Sequence, residues 1–108
     1  MGLFHRNKEK AENARLMERL DGRRITYAAR RVLDEAGNPL EQVIGRVGSI
    51  NTREGRIVII CDGAEVFRCP AEGARCSELL SLDGVVIQGN DPDTGKPVTI
   101  VAKYPRRR

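Results

Sequence analysis

A chain of 108 residues with 40% hydrophobic and 31% charged residues is long enough for one small domain and too short for two. No apolar run approaches a membrane span, and Met1-Gly-Leu-Phe4 leads straight into His5, Arg6, Lys8 and Lys10, so neither an inserted segment nor a secretory leader is expected. The net charge of +4 is uneven. Residues 1–31 hold nine Lys/Arg against four Asp/Glu, residues 32–105 hold seven against eleven, and Arg106, Arg107 and Arg108 follow. A mildly acidic body with basic ends argues against a basic groove across the body. With no Trp, two Phe and two Tyr, the core must be aliphatic, and little is left for a base-stacking platform.

Residues 7–21 read as a helix. Asn7 can cap it, Ala, Glu, Lys, Leu, Met and Arg fill it, and Asp21-Gly22 stops it. Its apolar stripe of Leu16, Met17 and Leu20 is narrow. Such a stripe either packs the helix across the body or offers a surface for a partner or a second copy. The domain organisation is then a basic arm and helix over 1–22, a β domain over 23–105, and a basic tail over 106–108.

Arg24–Leu33 reads as the first strand, with Ile25, Tyr27 and Ala29 on one face and Arg24, Thr26 and Arg30 toward the other. After the turn cluster Asp34–Pro39, a second strand covers Gln42–Ile50. Gly45 and Gly48 inside it predict a bulge or bend. Arg56–Cys61 is apolar without alternation from Ile57 to Ile60, which predicts cover on both faces. Asp62-Gly63 predicts a tight type I′ hairpin with Ala64–Cys69 returning. Ser77–Leu80 predicts one short helical turn capped by Ser77. Gly84–Gln88 and Val98–Tyr104 are the last strands, joined by the turn-forming run Gly89–Pro97. In the final strand Val98, Ile100, Ala102 and Tyr104 share a face.

This order of helix, bent strands, helical turn and two closing strands resembles the SH3-like and Sm-like small barrels. The resemblance implies a mainly β fold: a five- or six-stranded barrel with an N-terminal helix and a helical turn before the last two strands. Gly45-Arg-Val-Gly-Ser-Ile-Asn51, followed by Gly55-Arg-Ile-Val-Ile59, also resembles the strand pair of PilZ domains. Those barrels bind cyclic di-GMP through an Arg-x-x-x-Arg element and an (Asp/Asn)-x-Ser-x-x-Gly element. Here Ser49 and Gly55 stand too far apart, and Arg23, Arg24, Arg30 and Arg31 lack the first spacing, so the ligand does not carry over.

The usual chemical constellations are not spelled out in the chain. His5, the single His, lies in the basic arm, where no fixed geometry can hold a general base. Cys61, Cys69 and Cys76 have no Cys-x2-Cys knuckle and read as small core residues, reduced in a cytoplasmic protein. Cys61 and Cys69 end two strands of one hairpin and so could be neighbours, with a zinc site or a regulatory disulfide as the alternative reading. Asp91-Pro-Asp93-Thr-Gly95 opens like a calcium loop but lacks its later acidic ligand, and turn chemistry accounts for it. The expectation is therefore a protein without cofactor, metal or catalytic residues. Its leading use is protein interaction or self-association, through exposed strand edges or the stripe of Leu16, Met17 and Leu20. The rival use is nucleic-acid binding, with Arg23, Arg24, Arg30, Arg31 and Arg106, Arg107 and Arg108 on phosphates.

Overall fold

The computed structural model describes residues 2–105, with side chains from residue 11 onward. A single helix, α1 (Gly2–Leu20), precedes β1 (Arg23–Leu33), β2 (Pro39–Asn51), β3 (Arg56–Cys61), β4 (Ala64–Pro70), β5 (Arg75–Glu78), β6 (Gly84–Asn90) and β7 (Pro97–Lys103). The helix begins before the expected Asn7 cap because no Pro and no further Gly interrupts Leu3–Asp21. No described helix is long and apolar enough to cross a membrane.

All pairings are antiparallel, in one sheet of order β4-β3-β2-β1-β7-β6-β5. The fold is mainly β, with seven strands rather than five or six. The sheet curls without closing, since no ladder joins β4 to β5. Across the curl, Cys69 of β4 meets Gly89 of β6 so closely that a Cβ on Gly89 would lie 2.8 Å from the Cys69 Sγ.

The expected helical turn at 77–80 is a correction. Ser77 and Glu78 belong to β5, opposite Val86 and Val85, and the turn comes only at Leu79–Leu82, where the Leu82 N–H reaches the Leu79 carbonyl. A one-turn helix leaves most of its backbone groups unpaired. Pairing with β6 satisfies them and turns Cys76 into the core.

The reading of β1 also changes. Ile25 and Ala28 both enter the core cluster, while Ala29 is buried outside it. The register of β1 against β2 shifts between Ala28 and Ala29, and Val47, beside Gly48, has a φ of 50°. Ile25 and Ala28 differ in parity, so the inward face switches between them, opposite the bend at Val47 and Gly48 and before that register shift. At Gly48 a side chain would overlap the Ile60 carbonyl, so the bent strand needs a glycine there.

Elsewhere the expectations hold. Asp62 and Gly63 both have positive φ, as a type I′ turn requires, and β4 returns along β3. In β7, Ile100 and Ala102 are in the core and Val98 and Tyr104 pack against it. β3 is less enclosed than expected: Ile57, Ile59 and Cys61 are buried, while Val58 and Ile60 are half-buried.

The helix docks through its apolar stripe. Leu16 and Leu20 are 7% and 1% exposed within the core, and Met17 packs half-buried against it. Thr52 caps the helix end by donating its hydroxyl to the Met17 carbonyl at 2.6 Å. Asp21 accepts from the Thr52 N–H at 2.9 Å and from Arg53 Nε at 2.8 Å. The Arg53 hydrogen bond, then that of Thr52, holds the Asp21 carboxyl below its ordinary value.

Candidate functional site: the seam beside β4

An open sheet has two edges, and this chain treats them differently. At β5, Asn13 of α1 donates to the Ala74 carbonyl and accepts from the Cys76 N–H, so a helix side chain occupies the edge. At β4 the backbone alternates. The Ala71 N–H pairs with the Gly55 carbonyl, and counting back along the β3–β4 register gives Ile57↔Cys69 and Ile59↔Phe67 the same inward hydrogen bonding. The backbone groups of Arg68 and Pro70 therefore point away from β3. Pro70 has no N–H to offer. Arg68 turns both groups outward, without a backbone partner among the described residues.

Next to this edge the curled sheet leaves a groove of about 520 Å³, lined by Arg30 of β1, Glu65–Arg68 of β4 and Asp91–Asp93 after β6. That size suits a short peptide segment or a small ligand. The loop wall is rigidly built: the Asp91 N–H donates to the Lys96 carbonyl, the Gly95 N–H to the Asp91 carbonyl, and the Asp93 N–H to Asp91 Oδ1. On the strand wall, Arg68 grips Glu65 through Nη2–Oε2 at 2.8 Å and through Nε. This hydrogen bond holds the Glu65 carboxyl below its ordinary value.

Arg30 is the floor. It faces the same side of β1 as Ala28, opposite Ile100 of β7, and shares its groove with the charged Glu65, Arg68, Asp91 and Asp93. Among the described residues its Nε is shut from solvent and has no hydrogen-bond acceptor. A buried donor left unpaired costs about 1–3 kcal/mol, and more when charged, unless a binding partner supplies the acceptor.

The arginines expected to share phosphates do not converge. Arg23 lies over the Tyr104 ring at 4.0 Å. Arg24 is exposed, and six residues of extended chain place it about 20 Å from Arg30. Arg31 points to the opposite face from Arg30 and pairs in register with Glu41. Arg106, Arg107, Arg108 and the side chain of His5 lie outside the described residues. The stripe of Leu16, Met17 and Leu20 packs within the chain, Leu16 and Leu20 in the core and Met17 against it.

The cysteines are free and buried. Cys61 and Cys69 are not neighbours: Cys61 pairs with Ala64 by the turn and Cys69 with Ile57 at the far end. Burial pushes the Cys69 thiol up to about 11 and the Cys76 thiol, with help from Cys69, up to about 12. Such thiols are poor nucleophiles and poor ligands. Among the described residues no group of three or more His, Cys, Asp or Glu is placed to hold a metal ion.

Sequence reasoning found Arg30 but gave it the wrong neighbours, and it read Asp91–Asp93 only as turn chemistry. The available signal was slight: Arg30 follows two small apolar residues, Ala28 and Ala29, on a strand. No known family model, curated protein or solved structure matches this chain.

Proposed function

We propose that this protein is a non-enzymatic interaction module of the cytoplasm that takes an extended peptide segment of a partner as an added strand along β4. The observation that carries the reading is the asymmetry of the edges. Asn13 covers β5, whereas the outward backbone groups of Arg68 open onto a groove with room for a chain. An unprotected edge that invited any strand would aggregate. Pro70 at one end and the Cys69–Gly89 contact limit the addition to a few residues.

The test uses the full chain displayed to a phage library of random 12-residue peptides, with selected peptides titrated by NMR. Under this reading the bound peptide slows hydrogen exchange at the Arg68 amide, and Arg68→Pro abolishes binding while the variant keeps the parent circular dichroism spectrum. Selection of no peptide, or binding that leaves Arg68 exchange untouched, overturns it. Salt-sensitive binding to a mixed RNA and DNA pool, with no peptide selected, would favour the nucleic-acid reading instead.

A further inference from the structure

We infer that the end of the molecule around the β5–β6 turn docks on an anionic lipid surface. Leu80 and Leu82 enter the headgroup layer, and Arg23, Arg24 and the arginines after Pro105 face the lipid phosphates. This site is separate from the strand-addition groove and does not depend on it.

The turn holds its leucines outward. The Leu79 N–H donates to the Gly84 carbonyl at 3.0 Å and the Leu82 N–H to the Leu79 carbonyl at 2.8 Å, which closes the end of the β5–β6 hairpin. Leu79 is half-buried, with its Cδ1 over Gly84. Leu80 and Leu82 are 104% and 69% exposed. Leu82 also takes a φ of 59°, where Gly or Asn would carry less strain. Water favours neither leucine at such a tip, whereas an apolar layer outside the chain favours both.

The surrounding charge selects an anionic layer. The two carboxylates beside the turn are engaged, Glu78 by Arg19 at 3.1 Å and Asp83 by Lys103 at 3.4 Å. Glu18 of α1 has Arg15 three residues before it on the same helix. Arg23, over the Tyr104 ring, and the exposed Arg24 have no carboxylate partner among the described residues. The Tyr104 N–H donates to the Asp83 carbonyl at 2.8 Å, so the chain leaves the sheet beside the turn. Arg106, Arg107 and Arg108 follow in the sequence, and the four residues after Tyr104 reach at most about 14 Å, which keeps their charge at this end. Basic residues attracted to anionic lipid, with apolar side chains among them, make a reversible peripheral contact. The other exposed apolar tip has the opposite sign: Leu33 and Leu40 stand among Asp34, Glu35 and Glu41. A nucleic acid would engage the arginines and leave the leucines in water.

The test uses the absence of Trp from the chain. Leu80→Trp places a single indole at the tip, and the full chain is floated with equimolar phosphatidylcholine–phosphatidylserine vesicles. The expected result is binding with a blue shift of the indole emission, weakened by salt, and no binding to pure phosphatidylcholine vesicles. Without the indole, Leu80→Ser combined with Leu82→Ser should lower vesicle affinity about tenfold or more, the scale of burying part of two leucines. Arg24→Gln should lower it about fivefold, the attraction of one basic residue near an anionic surface. Leu40→Ser should leave it unchanged, and every variant should keep the parent circular dichroism spectrum. Absence of vesicle binding, an indole whose emission does not shift, or undiminished binding by the double leucine variant would overturn the inference. So would binding to a mixed RNA and DNA pool without binding to vesicles. Each of these results leaves the strand-addition reading of β4 intact.

Discussion

The side chain of Asn13 accepts a hydrogen bond from the Cys76 backbone N–H at 2.8 Å, and its amide nitrogen donates to the Ala74 carbonyl at 3.0 Å. One helix residue thereby does for β5 what a neighbouring strand would do. Asn13→Ala leaves both edge groups part-buried without that partner. It is expected to cost about 1–3 kcal/mol in urea unfolding, with faster hydrogen exchange at Cys76. Asn13→Asp, which keeps only the acceptor, should fall between the two. A change within about 0.5 kcal/mol for Asn13→Ala would mean that water replaces the side chain freely.

Leu20 decides what the helix stripe is for. At 1% exposure within the core, Leu20→Ala should lose about 2–5 kcal/mol. The molecular mass by light scattering should stay that of the parent protein. A variant of parental stability but altered mass would instead make the stripe an assembly surface.

The Cys69–Gly89 contact predicts a compensating pair. A methyl on Gly89 would meet the Cys69 Sγ at 2.8 Å, so Gly89→Ala should destabilise by about 1–3 kcal/mol through overpacking. Removing the sulfur with Cys69→Ala makes room for it. The double variant should be more stable than the sum of the singles predicts, by about 0.5 kcal/mol or more in a double-mutant cycle. Strict additivity would show that the two strands do not touch at that point.

The thiols set an alkaline limit. Cys69 and Cys76 are raised from 9.0 to about 11 and about 12 in the folded chain. Between pH 9 and those values the unfolded chain has released protons that the folded chain still holds. Stability is therefore complete below about pH 9 and declines as pH rises, by up to about 1.4 kcal/mol per pH unit for each thiol. Urea midpoints at pH 8, 9, 10 and 11 measure this, and replacing both cysteines by Ala should flatten the slope. In parallel, a thiol reagent at pH 8 should leave the native protein unmodified and titrate three groups in urea.

Local chemistry made much of this fold legible. Asp62-Gly63 demands positive φ at two successive residues, and only a hairpin follows from that. The alternation of Val98, Ile100, Ala102 and Tyr104 is set by one buried face of one strand, and burial of the stripe from Leu16 to Leu20 was one of its two readings. In each case the deciding partners are the solvent and the nearest few residues. What the sequence could not decide depends on groups far along the chain. Ser77–Glu78 has the local composition of a helical turn, but Val85 and Val86 on one side and Asn13, sixty-three residues before Cys76, on the other make it a strand. The face that Arg30 takes depends on the parity switch between Ile25 and Ala28, opposite the bend of β2 at Val47 and Gly48, which no periodicity within β1 records. Its groove needs Glu65–Arg68 and Asp91–Asp93 brought to it by the curl of the whole sheet. Local rules choose turns and alternation, because their energies are collected within a few residues. The edge left open and the arginine placed beside it follow from pairing across the chain, which only the folded sheet supplies.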